Sequence, residues 1–149
     1  MPADLDLVRR LVTGDHGLAI LSTTRTDGSV HSSLVNAGVL DANPVGGPVV
    51  ATVLQGGAVK LAHLRRTGTA TVTFRVGWEW ASVDGPVRLI GPDDPAEDFA
   101  PHQLPGLLRD IFTACGGTHE DWAEYDRVMA AERRVAALLT PRRVIGNSA

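Results

Sequence analysis

Cysteine, lysine and aromatic residues are all scarce in this chain of 149 residues. The single cysteine, Cys115, has no partner for an internal disulfide, so nothing implies an oxidising compartment. No apolar run approaches the roughly 20 residues that a membrane-spanning helix needs. The opening MPADLDLVRRLVTG lacks a continuous apolar stretch and is not expected to act as a secretory signal. A surplus of basic residues is missing too: the net charge is −3, which argues against generic nucleic-acid binding. His16, His63, His102 and His119 show no H-x-x-x-H or H-E-x-x-H spacing, so no metal site is expected. Ser32, Ser33 and Ser82 lack the G-x-S-x-G context of a hydrolytic nucleophile. The expectation is a single cytoplasmic domain over 1–149 with an ordinary globular balance, 44% hydrophobic and 21% charged.

The charges that remain are unevenly placed. Of 14 basic residues, 13 are arginine and the only lysine is Lys60. Residues 92–132 carry 10 of the 17 acids, whereas Gln55 to Arg66 holds three basic residues and no acid.

Periodicity predicts a short amphipathic helix over 4–13 and strands over 17–24, 29–40, 49–54, 69–76, 78–90 and 134–146. Thr26-Asp27-Gly28 supplies hairpin chemistry between the first two strands, and Asp41 to Pro48 is a turn cluster. After Gly56-Gly57 the period changes, with Ala58, Leu61, Ala62 and Leu64 along one helical face. Two more helices, 104–115 and 119–131, flank Gly116-Gly117, with Thr118 as N-cap and Asp121 at capping-box spacing. The first three strands are joined by turns too short for parallel crossovers. The expected architecture is therefore mainly β (α+β): six antiparallel strands in a barrel with short flanking helices.

Three segments bear on chemistry. The strand–Gly56-Gly57–helix junction presents free backbone N–H groups and a helix dipole, and Lys60 adds a charge on the first turn. Such a junction suits a phosphate; it serves equally to turn the chain with Lys60 in solvent. Trp78 and Trp80, two residues apart in a predicted strand, would share a face and form either a ring-stacking wall or core packing. His31, Ser32, Ser33 and Asn36 are polar positions in an otherwise apolar strand, facing either a ligand or solvent.

Taken in order, GLAILSTTRTDGSVHSS, VLQGGAVKLAHLRRTGTATVTF and GWEWASVDGPVRL, with the C-terminal HEDWAEYDRVMAAERRVAALLTPRRVIG, resemble the split β-barrel flavoproteins related to pyridoxamine 5′-phosphate oxidase. Within these, the chain is most similar to the actinobacterial branch that uses the deazaflavin coenzyme F-420, and the likeness spans nearly its whole length. The resemblance implies a homodimer with a cofactor cleft at the interface. Lys60, with Gly56, Gly57 and Ala58, would hold the cofactor phosphate. His31, Ser33 and Asn36 would face the ring, and Val53, Leu54 and Gln55 would run past the ring and its ribityl chain. Trp78 and Trp80 would border the cleft, and Arg133 or Arg134 would arrive from the partner subunit. Many relatives carry an arginine two residues before the lysine; Ala58 stands there in this chain, which removes one phosphate contact. The implied activity is hydride transfer from reduced F-420 to an unsaturated or quinone-like small molecule. FMN is the alternative cofactor, and a non-catalytic carrier of deazaflavin, haem or another tetrapyrrole is the alternative role. The catalytic residue stays unassigned, His31 being the nearest thing to a proton donor. A small six-stranded barrel is also expected to close poorly on itself, which with the tryptophan pair favours a dimer.

Overall fold

Thr69–Val76 alternates threonine with Ala, Val and Phe, and the structure turns this into alternating burial, with Ala70, Val72 and Phe74 pointing inward. The computed structural model describes residues 4–147; the first three and last two residues of the expected 1–149 domain lie outside the described residues. In chain order the elements are α1 (Asp6–Gly14), β1 (Leu18–Thr24), β2 (Val30–Leu40), β3 (Val49–Leu54), α2 (Val59–Thr67), β4 (Thr69–Val76), β5 (Glu79–Ile90), α3 (Leu104–Ala114), α4 (Trp122–Ala131), β6 (Val135–Leu139) and β7 (Arg143–Gly146), with a 3₁₀ turn at Pro101–Gln103.

Six antiparallel strands form the barrel in the order β4-β1-β2-β3-β6-β5, closed by pairing of β4 with β5 from Thr69↔Pro86 to Val76↔Glu79. β7 is an outer strand paired with β5 over Ala81–Asp84. The predicted strand over 134–146 is thus two strands. Pro141 cannot donate a ladder bond, and the flanking amides of Thr140 and Arg142 turn instead to the carbonyls of Pro86 and Asp84. The expectation of poor closure is corrected: the seam is continuously paired.

Two apolar clusters explain the layering. Inside the barrel, Leu21, Val50, Leu61, Val72, Phe74, Val83 and Leu139 meet Val8, Leu11 and Val12 of α1. Outside it, Leu107, Leu108 and Ile111 of α3 and Tyr125 of α4 cover Val49, Ala51, Ala136 and Leu138. β6 is therefore buried along its whole length, which accounts for its unbroken apolar run VAALL. The opposite flank is bare: Ile20 and Leu34 face each other across β1 and β2, 39% and 63% exposed, and Val30 is exposed beside them. Among the described residues, no helix is long and apolar enough to cross a membrane.

Two helix details differ from expectation. In α2 the buried face is Leu61, His63 and Leu64, while Ala62 is exposed. His63 is accommodated because its Nδ1 shares a 2.8 Å hydrogen bond with Thr23 Oγ1. The N-cap of α4 is Asp121 rather than Thr118: its carboxylate accepts the Glu124 N–H, and its own N–H is donated to His119 Nδ1.

Burial, with the charges of His31, Arg66 and Arg25 adding to it, holds the His63 imidazole below its ordinary value of 6.5. The unfolded chain therefore takes up a proton first, and the contribution of neutral His63 is complete above pH 6.5 and lost as the pH falls below it. We expect the melting temperature of the wild type to drop more between pH 7 and 5 than that of His63→Gln. Parallel profiles would show that His63 is not held neutral.

Candidate functional site

A cavity of about 780 Å³ opens where the barrel's covered flank meets its bare one. Leu34, Val35 and Asn36 of β2 and Val53, Leu54 and Gln55 at the end of β3 form the barrel side. Ala58 and Lys60 close one end, the last turn of α3 with Gly116 and Gly117 forms the far wall, and Tyr125, Met129 and Arg134 complete it.

The Gly56-Gly57 junction is built for close approach. A Cβ at Gly56 would lie 2.6 Å from the Arg133 carbonyl oxygen, and Gly57 sits at φ +87°. The Gly56 N–H is donated to Glu132 O and the Ala58 N–H to Gln55 O, so those amides serve the turn. Ala58, at the N-cap of α2, offers no side-chain cap. A helix start without a side-chain cap leaves its first-turn amides without intrahelical partners.

Lys60 lies half-buried at this end, and its Nζ donates to Ser33 Oγ at 2.8 Å. Burial pulls its ammonium below the usual lysine value. Nine arginines are ion-paired to carboxylates, yet among the described residues no acid pairs with Lys60. A partly desolvated cation without a counter-ion, beside an uncapped helix start, has the electrostatic character that suits an anion.

The residues anticipated from sequence separate into groups. Asn36, Val53, Leu54, Gln55, Ala58, Lys60 and Arg134 line the cavity; Ser33 reaches it through Lys60, and Gly56 and Gly57 shape its corner. Arg134 borders the cavity of its own chain, its Nε donating to Glu132 at 2.8 Å. Arg133 pairs with Asp93 and is absent from this wall. His31 is absent too; its ring packs edge-on against His63 at 5.5 Å, and its buried Nδ1 has no partner among the described residues. The expectation that Trp78 and Trp80 share one face of a strand is corrected. Trp78 lies with Gly77 in the turn between β4 and β5, before the strand begins, and is 93% exposed. Period-two alternation therefore does not link it to Trp80, which bonds through its backbone N–H to Asn147, and neither indole lines the cavity.

The aromatic wall comes from elsewhere. Phe112 and Tyr125, with ring centroids 5.1 Å apart, face the cavity, backed by Trp122 and His119. Residues 99–125 hold four of the seven aromatics, a concentration visible in the sequence, although only the docking of α3 and α4 shows which rings face inward. The Tyr125 hydroxyl is donated to Leu108 O at 3.1 Å, which fixes the ring. His16 also lines the wall, held at φ +56° while its carbonyl accepts the Asn36 side-chain amide.

Burial pushes the Cys115 thiol, also on this wall, up to about 12, so the nucleophilic thiolate is not formed near neutrality. A thiol-reactive disulfide reagent at pH 8 is expected to leave the folded protein unlabelled and to label it fully once denatured; rapid labelling of folded protein would refute this burial. Among the described residues no cluster of His, Cys, Asp or Glu has the arrangement of a metal site.

A cavity of this size, with an aromatic wall at one side and a lone ammonium at one end, fits a planar ring carrying a phosphate. No family model matches the sequence. Solved structures share the fold. A pyridoxamine 5′-phosphate oxidase-related FMN-binding protein from Nostoc punctiforme superposes with a TM-score of 0.66 at 12% identity, over 98% of this chain and 85% of that one. An F-420 reductase gives 0.60 at 11% identity, over 90% and 93%. A heme-binding protein from Mycobacterium smegmatis gives 0.65 at 15%, over 99% of this chain and 55% of that one. The fold is thus the split barrel of the pyridoxamine 5′-phosphate oxidase-like proteins.

Proposed function

We propose that the chain is one cofactor-binding domain of an oxidoreductase that holds coenzyme F-420 and reduces an unsaturated or quinone-like small molecule. The carrying observation is Lys60: a half-buried ammonium without a carboxylate, at the end of an aromatic-walled cavity. When bound, the deazaflavin supplies the hydride. The chain's own part is binding and positioning. Lys60 and the first-turn amides of α2 hold the phosphate, with Ser33 orienting the ammonium. Phe112 and Tyr125 set the plane of the ring, and α3 and α4 keep water from that side. His16, rather than His31, is the histidine that lines this cavity.

The reading places the protein in the cytoplasm as a homodimer. The exposed apolar side chains Ile20, Val30 and Leu34 on β1 and β2, with the Ser22–Ser32 pair between Leu34 and Val30, support a dimer in place of the tryptophans, and light scattering should give twice the chain mass of 15.8 kDa.

Trp122 stands within 6.0 Å of both wall rings, so a bound ring system should quench its emission. Titration with F-420 is expected to give saturable quenching in the micromolar range, and none up to about 100 µM would refute the reading. A yellow preparation with flavin absorbance would assign FMN instead. Tight binding with no turnover across an electron-acceptor screen would assign a carrier of deazaflavin or a tetrapyrrole.

A further inference from the structure

Two polar rungs join β2 to α2. His31 and Ser33 lie two residues apart in β2 and share a face, and Lys60 and His63 lie three apart in α2 and share another. The first rung is the 2.8 Å hydrogen bond that Lys60 Nζ donates to Ser33 Oγ. The second, about 5 Å farther along α2, is an imidazole pair, the His31 and His63 rings meeting edge-on with centroids 5.5 Å apart. Thr23 stands opposite His31 in the β1–β2 ladder, and its hydroxyl meets His63 Nδ1 at 2.8 Å. A hydroxyl both donates and accepts, so that bond survives whether the ring nitrogen is bare or protonated. The buried Nδ1 of His31 has no partner among the described residues.

The charges acting on the pair are of one sign. α2 contributes Lys60 and Arg66, and the turn after β1 contributes Arg25. Thr23 on β1 and Ser33 on β2 are neutral, and Asp27, the acid of that turn, is engaged by the amide and hydroxyl of Ser29. In the free protein, burial and these cations hold His63 neutral. An anion settling beside Lys60 opposes the positive field, and a proton on an imidazole one helical turn away becomes easier to hold.

We propose that the His31–His63 pair is a proton-linked second cation of the anion site, taking one proton from solvent as a phosphate settles at Lys60 and returning it on release. The proposal rests on the reading of Lys60 as the phosphate's partner and adds the regulation of that site by pH.

The test titrates the full-length protein from pH 8 to 5.5 with F-420 and with phosphate-free 8-hydroxy-5-deazariboflavin, following the quenching of Trp122. Both ligands carry the same ring, so its own titration cancels in the ratio of the two affinities, and the carboxylates of F-420, near the ordinary value of about 4, stay ionised. In the wild type the ratio favouring F-420 should rise about threefold or more as the pH falls, since uptake of one proton allows up to about tenfold per pH unit. His31→Asn combined with His63→Gln should flatten the rise. Each substitution alone should at least halve it, so the single variants carry the test should the double one fail to fold. A ratio that is flat in the wild type, or a rise kept in full by the variants, overturns the proposal. F-420 binding whose ratio ignores pH removes this inference and leaves the proposed function standing, whereas no F-420 binding at any pH removes both.

Discussion

Replacing Lys60 with methionine should weaken F-420 by about tenfold to a hundredfold, the range of 1.5–3 kcal/mol for a hydrogen bond to a charged group. The same change should leave the unfolding temperature of the ligand-free protein unaltered or higher. The two signs follow from one arrangement. Lys60 Nζ is partly desolvated, and among the described residues its only side-chain partner is the neutral Ser33 hydroxyl 2.8 Å away, with no carboxylate to offset its charge. In the free protein such an ammonium costs stability, which methionine relieves while keeping most of the stem's packing. In the proposed complex the missing charge would be the phosphate's partner. Calorimetric melting and fluorescence titration measure the two effects separately. A variant that binds F-420 as tightly as the wild type would place the phosphate elsewhere. One that binds normally but melts earlier would make Lys60 a packing residue.

The largest effect on stability is expected from Gly85→Ala. A Cβ at Gly85 would lie 1.9 Å from the backbone oxygen of Thr140, far inside contact distance. That oxygen belongs to the corner between β6 and β7, where the N–H groups of Thr140 and Arg142 are donated to the carbonyls flanking Gly85. Room for a methyl group therefore means moving main chain and losing those two bonds. Overpacking of about 1–3 kcal/mol, with about 1 kcal/mol for each lost bond, removes a large share of the 5–15 kcal/mol that typically holds a domain folded. The melting temperature should fall by on the order of 10 °C. Gly28→Ala is the control: nothing stands within 4 Å of its Cβ, so only its φ of +87° is strained, at about 1–2 kcal/mol. Equal losses in the two variants would show that the barrel corner does not close as described.

These cases also show what kind of information a chain of residues displays. Local patterns translated well. The alternation of TATVTF became β4, Thr26-Asp27-Gly28 became the turn between β1 and β2, and Gly56-Gly57 became the junction that aims α2 at the cavity. The misplaced features depend on what meets what at long range. Nothing local to Trp78 says that β5 begins one residue later, because that boundary is set by pairing of Glu79 with Val76. Thr118 has N-cap chemistry, yet Asp121 takes the role because the preceding segment is not helical and brings His119 beside the aromatic cluster. His63 sits inside because Thr23, forty residues earlier, bonds to it. Phe112 and Tyr125 form the wall because two helices dock on β3 and β6, and helical spacing alone does not name the inward ring.

Leu34 has a double position: it lines the cavity and is also one of the most solvent-exposed apolar residues of the bare flank. Whatever settles on that flank becomes part of the ligand's surroundings. If a second copy does so, assembly and occupancy are linked by mass action: added ligand draws subunits together, and dilution loosens both at once.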